Sequence, residues 1–139
     1  MANPTFHHLN QDWNAEPNAP LPGVAVIDQG VRLRFFLIRR PDQARVREIG
    51  ELFFDGCSRW RLGPTSDEGW YSGRCRYSRQ APRWGEFYEI TGDDPLMLEP
   101  TDWSFLRSET EAPRHFLFYL RGETFECLAR GWAFSRTVP

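Results

Sequence analysis

The stretch "RHFLFYLRGETFECLARGWAFS", Arg114 to Ser135, decides the fold. Phe116, Phe118 and Leu120 fall on alternate positions, and Phe125 and Cys127 repeat that spacing after Arg121-Gly122. A period of two is that of a strand, whose alternate side chains share one face. The run therefore reads as two strands joined at Arg121-Gly122, with the five apolar residues on a common core face.

The same texture extends back through the chain. "VAVIDQGVRLRFFLI", residues 24–38, is a hairpin signal, with two β-rich runs around Asp28-Gln29-Gly30. Gly30 is the residue expected to supply the positive φ of a tight turn. Val31, Leu33, Phe35 and Leu37 alternate with Arg32 and Arg34, and Phe36 and Ile38 then break the pattern. That strand is expected to start half exposed and to end covered on both faces. "REIGELFFDG" (47–56), "CSRWRLG" (57–63), "WYSGRCRYS" (70–78) and "WGEFYEI" (84–90) read as further strands. "DWSFLRS" (102–108) reads as a short one. Eight to ten strands and no helix longer than two turns predict a single all-β domain over residues 23–139, an antiparallel sandwich or small barrel. Residues 1–22 hold four prolines and no period, and read as an extended N-terminal arm anchored by Phe6, Leu9 and Trp13.

Composition narrows the function. The chain has 139 residues, 15 % of them aromatic, and a formal net charge of −2. That balance argues against a general nucleic-acid binder, which needs excess positive charge to neutralise phosphates. All seventeen basic residues are Arg, the planar bidentate donor for carboxylates and phosphates. Cys57, Cys75 and Cys127 lack metal-ligand spacing. No secretory signal or membrane-length apolar run is present, so a cytoplasmic protein with reduced thiols is expected.

Strand parity assigns the Arg-rich centre. If "CSRWRL" pairs with "WYSGRCRY", the coherent register turns Trp60, Leu62, Tyr71, Cys75 and Tyr77 inward. Arg59, Arg61, Arg74 and Arg76 then share the other face, and Cys57 and Cys75 point apart. Residues 57–83 carry six Arg, and residues 86–111 carry eight acids. The arginines thus form either an ion-pair lattice, with Glu86 or Glu89 among the partners, or a docking face.

Signals for chemistry are few. Cys127 and His115 are the residue types of a thiol–imidazole pair, but Cys127 reads as core, where a thiol is inert packing. His7 and His8 on an extended segment point to opposite sides, which suits surface hydrogen bonding better than one metal ion. "GDDP" (92–95) reads as an Asx-type turn. Carboxylate pairs such as Glu86 and Glu89 exist, but spacing leaves their separation open. No phosphate loop or zinc framework is seen, and no cofactor is implied. Trp70, Tyr71, Trp84 and Tyr88 sit near loop boundaries beside Arg74, Arg83 and Glu86. Rings beside polar groups suit sugars, bases or aromatic ligands.

"DEGWYSGRCRYS", "PRWGEFYEI" and "RHFLFYLRGETFECLARGW" resemble stretches of a family of small, uncharacterised bacterial proteins. That likeness implies a stand-alone domain and brings no activity or catalytic residues with it. The order of elements is distantly similar to all-β immunity-type proteins of bacterial toxin systems, a likeness of architecture alone. The expectation is a non-enzymatic domain that binds another protein through an Arg/aromatic face, since Arg, Trp and Tyr dominate interface hot spots. The alternative is a small-molecule binder or enzyme with a cleft near Trp70, Trp84 and Tyr88. A concave site lined by these residues favours the second reading, and a flat exposed face the first.

Overall fold

The computed structural model describes residues 4–38, 47–64, 67–73, 77–78, 80–92, 94, 101–108 and 112–138. Ten strands lie among them: β1 (Thr5–His8), β2 (Gly23–Ile27), β3 (Gly30–Phe36), β4 (Ile49–Asp55), β5 (Arg59–Gly63), β6 (Phe87–Thr91), β7 (Ser104–Phe105), β8 (Arg114–Tyr119), β9 (Thr124–Ala129) and β10 (Gly131–Thr137). All pair antiparallel in two sheets, one of order β1-β6-β8-β9-β5-β7 and one of order β10-β4-β3-β2. The fold is a β-sandwich. No helix of the described residues is long and apolar enough to cross a membrane.

The core forms where the sheets face each other. Val31, Leu33, Phe35, Leu52 and Phe54 come from the smaller sheet, and Phe87, Phe116, Phe118, Phe125 and Cys127 from the larger. Phe54 lies 5.3 Å from Phe125 and 5.4 Å from Phe116, and Phe35 meets Phe118 edge-on at 5.2 Å. The C-terminal alternation is thus as expected. The run holds a third strand that parity alone did not separate. After Arg130 the chain leaves the larger sheet, and β10 pairs with β4 in the smaller one.

β8 and β9 are buried on both faces. Leu117 and Tyr119 point away from the sandwich into a second cluster with Tyr77, Tyr88, Ile90 and Ala81, against which Phe6, Trp70 and Trp84 pack. The larger sheet therefore carries two apolar layers and the smaller sheet one.

Several local expectations are revised. In the first hairpin, Ile27 pairs with Gly30, so Asp28-Gln29 is the loop, and Asp28 takes the positive φ of 48°. Gly30 is needed for space instead: a Cβ there would meet the Phe54 carbonyl and lie 2.7 Å from the Phe53 ring. At the end of β3, Phe36 is half-buried under the Arg47 guanidinium and Ile38 is exposed, so the second face stays open.

The expected strand over "WYSGRCRYS" is also overturned. Asp67–Tyr71 is a short helix, α1, closed by a hydrogen bond from Ser72 N–H to the Glu68 carbonyl at 3.1 Å. Glu68 lies in its first turn, where an acidic residue suits the positive end of the helix dipole. β5 pairs with β9 and β7, and Tyr71, expected inward, is 74 % exposed. Arg74, Cys75 and Arg76 lie outside the described residues, so the docking face placed on those arginines does too.

The N-terminal arm joins both sheets. β1 pairs with β6, and Leu9 N–H bonds the Phe87 carbonyl at 2.9 Å. Further on, Glu16 N–H bonds the Phe36 carbonyl at 2.8 Å, and Ala15 bridges Leu37. Between these attachments Trp13 enters the core.

Phe125 is fully buried, so truncation leaves a ring-sized void. Urea denaturation of Phe125→Ala should register a loss of about 3–5 kcal/mol. A loss under about 1 kcal/mol would contradict the packing described.

Candidate functional site

Two depressions on the larger sheet's side of the molecule contain polar side chains of interest. The first is a cleft of about 420 Å³ lined by Trp84, Glu86, Tyr119, Arg121, the exposed Tyr71 and residues 14–18 of the arm. This lies within the usual size of small-ligand sites, about 300–1,000 Å³.

The cleft is assembled from the loop before β6, the turn after β8, α1 and the arm. Gly85 has a φ of 86° and nothing within 4 Å of an added Cβ, so its role is the left-handed turn itself. The loop is clamped from behind by Tyr88. Its hydroxyl donates to the Arg83 carbonyl at 3.1 Å and accepts from the Arg83 N–H at 3.3 Å. Burial raises the Tyr88 hydroxyl above its ordinary pKa, keeping it in the protonated form that this clamp uses. Trp84 then lies over Tyr119, with ring centres 4.7 Å apart and planes inclined at 32°. Trp70 packs at the rear, edge-on to Tyr71 at 5.1 Å and to Tyr119 at 6.3 Å.

Glu86 is held by the arm. Its Oε2 accepts hydrogen bonds from Asn10 Nδ2 and His8 Nε2, each at 2.7 Å. Asn10 is itself 4 % exposed, accepts the Phe87 N–H at 3.0 Å and donates to the Trp13 carbonyl at 3.1 Å. His7 instead bonds the Thr91 hydroxyl at 2.8 Å, so the adjacent histidines serve different partners.

Of the six sequence-predicted site residues, Trp84 and Glu86 line the cleft. Trp70 supports it, and Tyr88 positions its loop and, with Glu86, His8 and Arg83, lines a smaller adjoining hollow of about 130 Å³. Arg74 and Arg76 are outside the described residues. Tyr71, one of the rings expected near a loop boundary, also lines the cleft, but exposed rather than inward as strand parity has it. Sequence reasoning missed Glu16, Asn18 and Arg121, which come from segments remote in sequence.

The second depression, about 290 Å³, is lined by Glu89, Asp94, Arg114 and His115. Most of its polar groups answer one another, but the buried His115 Nδ1 makes no hydrogen bond among the described residues. Arg114 donates to both oxygens of Glu89, at 2.8 and 2.7 Å. His115 Nε2 bonds Glu126 Oε2 at 2.7 Å, and His115 Nδ1 is enclosed 3.6 Å from Asp94 Oδ2, which also receives the Tyr77 hydroxyl. Glu126 in turn accepts from Arg61 at 3.1 Å, and Arg61 grips Asp102 at 2.7 and 3.2 Å.

Among the described residues, the ion pair Arg61–Asp102 joins the Arg-rich and acidic segments, while Glu86 and Glu89 bond His8, Asn10 and Arg114 instead. Cys127 faces the core, and His115 faces the opposite side of the sheet. The two do not form a thiol–imidazole pair. Among the described residues no cluster of three His, Cys, Asp or Glu is arranged to hold a metal. No protein-family model, curated protein or solved structure matches the chain.

The Arg114 fork holds the Glu89 carboxyl below its ordinary pKa of 4.5. A depressed folded-state pKa stabilises the protein above the unfolded value and loses that contribution as pH falls through the folded one. Comparing wild type with Glu89→Gln by thermal denaturation should give a gap that is constant near neutrality and shrinks as pH falls below about 4.5. A gap independent of pH would remove the carboxylate from the stabilising pair.

Proposed function

We propose that the protein is a small-molecule-binding domain and that the Trp84 cleft is its binding site. The observation that carries this reading is the meeting, in one concavity, of exposed ring surface from Tyr71 and Trp84 with a carboxylate already fixed in orientation. Glu86 has one oxygen anchored by two donors, and its rotamer is set before any ligand arrives. Preorganised polar groups on an aromatic floor reduce the ordering cost of binding. The sequence expectation of an aromatic cleft near Trp70, Trp84 and Tyr88 is retained in altered form, with Trp70 and Tyr88 as its support.

The protein-partner reading depended on Arg74 and Arg76. The arginines of β5 that were grouped with them have other roles. Arg59 is 8 % exposed and covers the Trp103 ring at 5.0 Å, and Arg61 is engaged by Glu126 and Asp102. Neither offers the flat arginine face that reading needs.

Native mass spectrometry of the protein purified from its own cells tests the proposal. A bound small molecule is expected with wild type and absent from Trp84→Ala. Wild type of bare polypeptide mass, or a ligand retained by the variant, would refute it.

A further inference from the structure

The polar groups around the Trp84 cleft are of both hydrogen-bonding kinds, and that mixture narrows the ligand. Glu16 Oε1 accepts the Asn18 N–H at 2.9 Å, and Glu86 Oε2 accepts Asn10 and His8. The second oxygen of each carboxylate makes no hydrogen bond among the described residues, and each is left as an acceptor of restricted orientation. The amides are arranged the other way. Asn14 Oδ1 takes the Ala15 N–H at 2.7 Å, and Asn18 Oδ1 takes Arg121 Nη1 at 3.0 Å. Both therefore present NH₂ donors, and Arg121 adds the rest of its guanidinium.

Ligand classes can be separated on this pattern. An anion would face Glu16 and Glu86. A simple cation would use the two carboxylates, leave the amide donors idle and sit near Arg121. Groups that donate and accept at neighbouring atoms match the whole set, and hydroxyls on adjacent ring carbons are such groups. The rings complete the match. A pyranose carries hydroxyls around its edge and C–H groups on its faces, and an apolar face of that kind lies well on an aromatic surface such as Trp84.

We infer that the cleft binds a neutral pyranose saccharide, one C–H face on Trp84 with Tyr71 at the rim, and its hydroxyls on Glu86, Glu16 and the Asn14 and Asn18 amides. This rests on the reading of the cleft as the ligand site and adds its ligand class.

Saturation-transfer NMR on the full chain tests it. The probes are methyl gluco-, galacto- and mannopyranosides and glucose and galactose disaccharides, with tetramethylammonium and benzoate as charged controls. At least one saccharide should receive saturation, concentrated on the ring protons of one face. The signal should be the same at low and high salt, because a neutral ligand has no charge to screen. It should vanish in Trp84→Ala. Tyr71→Ala, which removes a ring that is 74 % exposed, should remain folded and weaken affinity about tenfold, about 1.4 kcal/mol.

Absence of any saccharide signal overturns the assignment. So does a preference for tetramethylammonium that fades with salt, or a saccharide signal that survives both ring substitutions. The two levels of the reading fail differently. A native ligand of other chemistry that is lost in Trp84→Ala leaves the cleft as the site and removes the saccharide. A native ligand that persists in both ring variants removes the cleft itself.

Discussion

Trp13 is the contact on which the arrangement of the two sheets depends. Its indole lies parallel to the Phe134 ring, 4.0 Å away with planes 2° apart. It also meets Phe35 at 5.9 Å, Phe118 at 6.0 Å and Phe87 at 6.2 Å. Those four rings come from β10, β3, β8 and β6, two strands of each sheet. A side chain outside both sheets thus fills the space between them. The main chain on either side follows, with Leu9 bonded to the larger sheet and Glu16 to the smaller. Because protein interiors tolerate few voids, the arm is held where the indole must go. The position of every arm residue after it, including the Asn14–Asn18 wall of the cleft, is a consequence.

The outer face of the larger sheet is organised by a different constraint. Glu126 is 1 % exposed in the middle of β9, and a carboxylate at that depth is costly without partners. Its two oxygens are met by Arg61 from β5 and His115 from β8. Arg61 reaches on to Asp102, and His115 faces Asp94. Strands on both sides of β9 are thereby tied to it by directional contacts that a one-residue slip would break, since such a slip turns each side chain to the other face. Rings over the rest of that face supply area, and the ionic chain supplies register.

How much of this was legible follows from what each residue needed. The alternation of Val31, Leu33 and Phe35 and of Phe116 and Phe118 specified strands, because each has one face on the core. Parity also put Arg59 and Arg61 opposite Trp60 and Leu62, as β5 has them. It failed at Trp70-Tyr71, where the shared parity of Tyr71, Cys75 and Tyr77 reads as a strand. Helix α1 is five residues long and is decided by where Trp70 packs, a tertiary fact that no local period encodes. The departure of β10 to the other sheet was hidden for a similar reason, since its residues alternate as well as those of β9. Trp84 and Glu86 were visible as a ring and a carboxylate at a loop. Glu16 and Asn18 were not, because nothing in a proline-rich arm says which loop it will lie beside.

The location of the cleft follows from these two constraints acting together. Trp13 brings the arm to the end of β8, and the Tyr88 clamp holds the Arg83–Glu86 loop against the same end. The side chains that close the gap come from a turn, a loop, a short helix and an extended segment. Sites on loops set by a rigid framework are the usual place for recognition. Here one wall belongs to the segment that joins the sheets. A ligand that touches Glu16 and Glu86 at once therefore contacts the arm and the larger sheet simultaneously. Such a ligand binds the folded state alone, so its binding free energy adds to the stability of the closed sandwich by mass action. Recognition and closure of the fold would then depend on the same few residues.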